Sequence, residues 1–284
     1  VIRSCRCLSL DYIGRYKRSV TMVRPAEQFN GDANCADGER RSMKFALVLG
    51  ASGEIGHAIC RELARDGWSL YLHYSTNVSR IEQLLHELEE TYPTQYFLPM
   101  QANLYEAEQV ETLAQSIVEV EAIIVAHGVE LLKLVSETTD EEMDYLWKVH
   151  VQSPIKIIST LSARMQHKQV SYVIFIGSIW GSAGAANEVL YSTVKGAQHA
   201  FVRAYAKEVA SLGIRVNGVA PGWIDTKMNR MFNEAEQLEA QTAIPLQQIG
   251  TPEDVAHYVT FLVSGRSDYM TGEVINLNGG WYIS

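Results

Sequence analysis

From residue 44 onward, two hydrophobic periods alternate along the chain. Lys44-Phe45-Ala46-Leu47-Val48-Leu49 is a short apolar run that stops at Gly50, which predicts a buried strand. Ile55, Ile59 and Leu63 then recur at helical spacing, predicting a helix over 55–66 that ends at Gly67. The same reasoning predicts strands at 69–74, 96–100, 122–126, 170–176, 214–219 and 273–277. It predicts helices at 77–91, 107–118, 140–166, 191–211 and 252–264. Ile81, Leu84, Leu85 and Leu88 mark the buried face of the second helix. The strands are apolar on both faces, as in a parallel sheet covered by helices on each side. The predicted fold class is therefore α/β, a single doubly wound parallel sheet over residues 43–284, with no linker or internal repeat dividing it.

Residues 1–42 differ. They show no sustained period and lack the apolar core, about 7–15 residues long, of a signal peptide. Their net charge is +3, whereas residues 43–284 carry −12 within an overall −9. Cys5, Cys7 and Cys35 lie there, and only Cys60 lies beyond. The expectation is that Met43 is the physiological start and that 1–42 is a non-native extension; a disordered basic arm is the other reading. Cys5-Arg6-Cys7 has no second pair at zinc-site spacing, so no metal is expected. A lone cysteine in the remainder points to a reduced, cytoplasmic protein without disulfides. The absence of an uninterrupted 18-residue apolar run excludes a hydrophobic membrane span, and the acidic balance argues against a nucleic-acid partner.

Gly50-Ala51-Ser52-Gly53-Glu54-Ile55-Gly56 sits between the first strand and the first helix. There a dinucleotide-binding, Rossmann-type fold needs glycines, because the backbone must turn tightly and approach a pyrophosphate at a helix N-terminus. The second strand ends in His73-Tyr74-Ser75 without the carboxylate that would hold the 2′-hydroxyl of NAD. Ser75 and Arg80 are candidate partners of a 2′-phosphate, which favours NADPH (NADP+); Arg80 is equally readable as a solvated helix residue.

Tyr191 and Lys195, four apart, share one helix face. An adjacent ammonium favours a phenolate and would lower the tyrosine pKa. Ser178 closes the fifth predicted strand, at the carboxyl edge where such sheets bind ligands, and can hydrogen-bond a substrate carbonyl. Together with Arg215-Val216-Asn217-Gly218-Val219-Ala220-Pro221-Gly222 and Thr271-Gly272-Glu273-Val274-Ile275-Asn276-Leu277-Asn278-Gly279-Gly280, these motifs resemble the short-chain dehydrogenase/reductase family over essentially all of 43–284. The resemblance implies NADPH-dependent hydride transfer. Ser178 would polarise the carbonyl, Tyr191 would deliver the proton, and Lys195 would bind the nicotinamide ribose. Pro221, Gly222, Ile224 and Thr226 would hold the carboxamide end. The implied cofactor set also includes Gly50, Ser52, Gly53, Glu54, Ile55, Gly56, Tyr74, Ser75, Arg80, Asn103, Leu104, Ala126 and Gly128, with Tyr191 and Lys195. The family further implies a homodimer or homotetramer, for which Leu146, Ile155 and Phe201 are candidate contacts.

Residues 66–74, Ser178-Ile179-Trp180-Gly181 and 188–198 look like the bacterial reductases that convert a 5-aminopentanone group on a lysine of translation elongation factor P to the alcohol. Modified elongation factor P is thus the expected protein substrate. A 3-oxoacyl-[acyl-carrier-protein] reductase is the alternative, and a non-catalytic NADPH-binding regulator is a reading of a different class. Departures from the family pattern are Leu49 before the first glycine, Glu54 in place of a glycine, Val125-Ala126-His127-Gly128 after the fourth strand, and Asn103 in place of an aspartate. Glu54 suits a helix N-terminus but adds negative charge beside a pyrophosphate. His150 occupies the place of an asparagine that serves a proton relay in the family, as a catalytic group or as a structural histidine. His127 is expected to be a packing residue. A substrate lid is expected over 223–241, with Met228, Met231 and Phe232 as its apolar face. Glu234, Glu236 and Glu239 would form a negative rim, either an ammonium-attracting feature or an ordinary solvated face.

Overall fold

The computed structural model describes residues 43–166 and 169–283, so the expectation for residues 1–42 lies outside the described residues. Seven strands run β1 (Lys44–Leu49), β2 (Trp68–Tyr74), β3 (Phe97–Gln101), β4 (Ala122–Val125), β5 (Ser171–Ile176), β6 (Ile214–Pro221) and β7 (Val274–Leu277). All pair in parallel, in the order β3-β2-β1-β4-β5-β6-β7. Parallel neighbours need crossovers, and helices supply them: α1 (Glu54–Arg65), α2 (Val78–Thr91), α3 (Ala107–Ser116), α4 (Asp140–Trp147), α5 (Ser153–Met165), α6 (Trp180–Ala183), α7 (Val189–Val209), α8 (Glu234–Ala243) and α9 (Pro252–Leu262). The architecture is the expected one, helices on both faces of a doubly wound sheet.

After the exposed Lys44, the residues of β1 are all buried, as are those of β5, which explains their unbroken apolar runs. On one face Ile59 and Leu63 of α1, Ile81, Leu84 and Leu88 of α2, and Val255 and Val259 of α9 share a core with the alternate residues of β1 and β2. On the other, α3 packs on α5, and α5 and α7 lie against β4 and β6. Asn77 caps α2 by accepting from the Arg80 N–H, which starts that helix one residue later than expected.

The helix predicted over 140–166 is not continuous. A π-turn, Lys148–Gln152, separates α4 from α5. Pro154 has no N–H to offer the His150 carbonyl one turn back, and that carbonyl accepts instead from Gln198 Nε2 of α7 at 2.7 Å. The turn drives Val149, His150 and Val151 into the interior. Leu146, expected at a subunit contact, is also buried, packed with Val151 and Val194 of its own chain. Helices α6 and α8 were not anticipated. Both are short, and α8 carries a capping box between Asn233 and Glu236 that starts it inside the expected lid.

Among the described residues, no helix is long and apolar enough to cross a membrane, and no cluster of potential ligands could hold a metal ion.

Candidate active site

The strand order reverses between β1 and β4: the chain builds outward to β3, then returns to the other side of β1. At such a point the loops leaving the two strands diverge and open a crevice at the carboxyl edge. A cleft of about 490 Å³ lies there.

Gly50 begins its floor at φ +89°, and a Cβ there would sit 2.7 Å from the His127 backbone. Only glycine permits this approach. A Cβ on Gly56 would collide with the Gly50 carbonyl, so Gly56 serves the packing of α1 on the turn and does not face the cleft. The N-cap Gly53 has no side chain to satisfy the first N–H groups of α1. A glycine-lined turn beneath unsatisfied helix donors is a cradle for an anion. Ser52, Gly53, Glu54 and Ile55 line it, with Ser75 and Arg80 beyond the end of β2. Asn103, Leu104, Ala126 and Gly128 line the adjoining wall. The residues present therefore fit a dinucleotide. Tyr74, expected among the cofactor residues, packs its side chain against the core and is not part of the cleft lining. Alternate residues of a strand point to opposite faces, and it is His73 that points the other way, into the site.

The reactive end of the cleft is built from β5 and α7. Ser178 follows β5, and the neighbouring backbone is clamped by β6: Gly177 N–H donates to Val219 O at 2.7 Å and Ile179 N–H to Pro221 O at 3.0 Å. Tyr191 and Lys195 stand one turn apart near the start of α7. Lys195 is buried, its Nζ 5.6 Å from the centre of the Tyr191 ring, and it donates to Ile176 O at 2.9 Å. Burial pulls its pKa down to about 7. The Tyr191 phenol is pushed above its ordinary range, first by burial and then by the negative charge of Glu188; a hydrogen bond with Ser178 opposes the shift. Lys195 was expected to lower the tyrosine, but here burial and Glu188 prevail. Pro221, Gly222, Ile224 and Thr226 line the cleft as well.

His150 does not line the cleft; it stands behind it. Its ring meets Tyr191 edge-on at 5.9 Å between centroids. Its Nε2 lies 2.8 Å from Val129 O and 3.1 Å from Val129 N, while Nδ1 is buried without a partner. Burial, reinforced by the Lys195 charge, holds its pKa well below the ordinary value, so the imidazole is neutral at neutral pH. A neutral ring tied to Val129 suits positioning of the loop after β4 better than carrying a proton as an imidazolium. His127, whose Nε2–H donates to Val149 O at 2.8 Å, is held neutral in the same way.

Glu130 and Trp281 line the cleft and escaped sequence reasoning. Trp180, Trp223, Phe232 and Trp281 form an aromatic wall, with Trp180–Trp281 at 5.2 Å and Trp223–Phe232 at 5.1 Å between ring centroids. The expected lid supplies Met228 and Phe232 to this wall; the Met231 side chain lies outside the described residues. Glu130 and Glu188 enter from two loops that a bridge between Lys133 and Glu188 holds together. Burial raises both carboxyls, and Glu130 raises Glu188 further; no cation among the described residues pairs with either. Trp180 and Glu188 lie within the stretches 178–181 and 188–198 that carry the family resemblance, whereas Glu130 and Trp281 lie in no motif that could have marked them.

Residues 50–282 match the family profile described as enoyl-(acyl carrier protein) reductase. An uncharacterized oxidoreductase of Bacillus subtilis (strain 168), YmfI, is 38% identical over 240 residues, covering 84% of this chain and 99% of that protein. The 3-oxoacyl-[acyl-carrier-protein] reductase FabG of Staphylococcus aureus (strain Mu50 / ATCC 700699) is 28% identical over 244 residues, 84% of this chain and 98% of that protein. Among solved structures, a blue fluorescent protein from a metagenomic library in complex with NADPH superimposes with a TM-score of 0.79 at 30% identity, over 84% of this chain and 98% of that one.

Proposed function

This chain belongs to the short-chain dehydrogenase/reductase family, and on that premise we propose that it reduces a ketone to a secondary alcohol at the expense of NADPH. The observation that carries this reading is the convergence of Ser178, Tyr191 and Lys195 at one end of a cleft whose glycine turn fits a dinucleotide. A phenol whose pKa lies above its ordinary range is protonated at neutral pH, which is the form that reduction consumes.

When bound, NADPH supplies the hydride. The glycine turn and the open N-terminus of α1 would hold its pyrophosphate, and Ser75 with Arg80 its 2′-phosphate. Ser178 donates a hydrogen bond to the substrate carbonyl as charge grows on oxygen, and Tyr191 gives that oxygen its proton. Lys195 is anchored on Ile176 O, and its remaining donors would be available to the cofactor ribose. His150 positions the loop after β4 beside them. Ketone, NADPH and one proton become alcohol and NADP+.

For the substrate, the named FabG relatives support a 3-oxoacyl thioester, and the aromatic wall suits an acyl chain. A second reading, the 5-aminopentanone group on a lysine of elongation factor P, is favoured by Glu130 and Glu188. Two unpaired carboxylates in an aromatic pocket suit a substrate that brings an ammonium. NADPH oxidation should be followed with a 3-oxoacyl thioester, with a neutral ketone and with an aminoketone of matched length. Preference for the thioester supports the first reading. Preference for the aminoketone, with a gain of two hydrogens on the modified factor by mass spectrometry, supports the second. Oxidation of NADPH by none of the ketones, alongside measurable NADPH binding, defeats both and returns a non-catalytic binding role.

A further inference from the structure

The carboxylate of Glu54, at the first position of α1, finds its partners on a distant segment. Its Oε2 accepts from the Lys227 N–H at 2.5 Å, and its Oε1 lies 3.4 Å from the Arg230 guanidinium. Arg230 is held from its other side by Asp225 at 2.8 Å. Lys227, Met228, Asn229 and Phe232 all line the cleft, so the segment Glu54 grips is part of its wall and of the expected lid. The contact spans 173 residues of sequence and joins the phosphate turn to the start of the lid.

A bare carboxylate at this place would repel a dinucleotide pyrophosphate seated on the same helix terminus. With the lid down, Glu54 is only 15% exposed and its charge is met by the guanidinium and a backbone N–H. A lid that moved away would take both partners with it and leave the charge uncompensated beside the phosphates. The lid-down state is then the one that tolerates the cofactor, and by linkage the cofactor favours the lid-down state.

We infer that Glu54 is a positioning residue that latches the lid, and that its neutralisation by Arg230 couples lid closure to occupancy of the dinucleotide cleft. The inference rests on NADPH as the cofactor. Two measurements test it, one of them without cofactor. In the cofactor-free protein, Glu54→Ala should speed hydrogen exchange of the Lys227 amide about tenfold, since that N–H loses its acceptor. An unchanged exchange rate overturns the latch. For the coupling, NADPH dissociation constants are measured by fluorescence titration for Arg230→Gln, Glu54→Gln and the double variant. Arg230→Gln should weaken binding about fourfold where Glu54 is present and less than about 1.5-fold where it is glutamine. Equal weakening in both backgrounds means that Arg230 meets the cofactor directly and overturns the coupling. A wild-type protein that binds no NADPH would count against the cofactor assignment, and the amide exchange would still decide the latch.

Discussion

Gly50 and His73 are joined at the ends of two adjacent strands. The Gly50 N–H donates to His73 Nδ1 at 3.1 Å, which fixes the tautomer, and Nε2–H then donates to Ala102 O at 3.1 Å. One imidazole thus ties the carboxyl ends of β1, β2 and β3 together beneath the phosphate turn. His73→Leu would leave the half-buried Gly50 N–H and the buried Ala102 carbonyl without these partners. The expected cost is about 2–4 kcal/mol of stability, with NADPH binding weakened about tenfold, read by denaturant unfolding and by titration. Unchanged stability would show that the hydrogen bonds are replaced by water.

The same imidazole makes the fold acid-sensitive. Burial lowers its pKa to about 4 in the folded protein, against about 6.5 in the unfolded chain. Below about 6.5 the unfolded chain takes up a proton that the native state refuses. Stability is therefore full above that pH and is lost as pH falls towards 4, by about 3 kcal/mol for this residue. His127 adds to the loss over a window extending to about 3. Urea unfolding at a series of pH values should show the decline, and His73→Leu should make it shallower.

Removing the Glu188 charge should lower the pKa of Tyr191, because a phenolate beside a neutral amide is less repelled. In Glu188→Gln the alkaline limb of the reduction rate should move down by about half a unit to one unit, while oxidation of the alcohol gains at a given pH. A pH–rate profile superimposable on that of the wild type would mean that Glu188 does not act on the phenol.

Lys195 is costly to the fold, since burial drives its pKa from 10.5 to about 7. Lys195→Met should abolish turnover by a factor of about 100 or more while raising stability by about 1–3 kcal/mol. Calorimetry and single-turnover kinetics separate the two effects. Loss of stability in the variant would mean that the hydrogen bond to Ile176 O outweighs burial.

His150→Ala should lower kcat about tenfold through the loop at Val129 and leave the pH profile unshifted, because the ring is already neutral. A displaced acidic limb would instead make His150 a proton carrier. His150→Asn, which can still reach Val129, should recover part of the rate.

The alternation of apolar runs and helical spacings in residues 44–277 was enough to predict every strand to within a residue or two, along with the parallel sheet. It was enough because β1 and β5 are buried on both faces and their sequences show it directly. Spacing alone also placed Tyr191 and Lys195 on one helix face and the glycines at the first turn, since those relations are local to one helix or one turn. Relations between distant segments could not be read this way. Pro154 breaks a helix whose freed carbonyl is claimed by Gln198, 48 residues from His150, and Glu54 meets a lid 173 residues away. Whether His150 is neutral, Tyr191 protonated, or Glu130 and Glu188 paired depends on burial and on charges from other elements, and no local pattern encodes these. Secondary structure and motif chemistry follow from neighbours along the chain; the protonation states and the lining of the cleft follow from which segments the sheet brings to one edge.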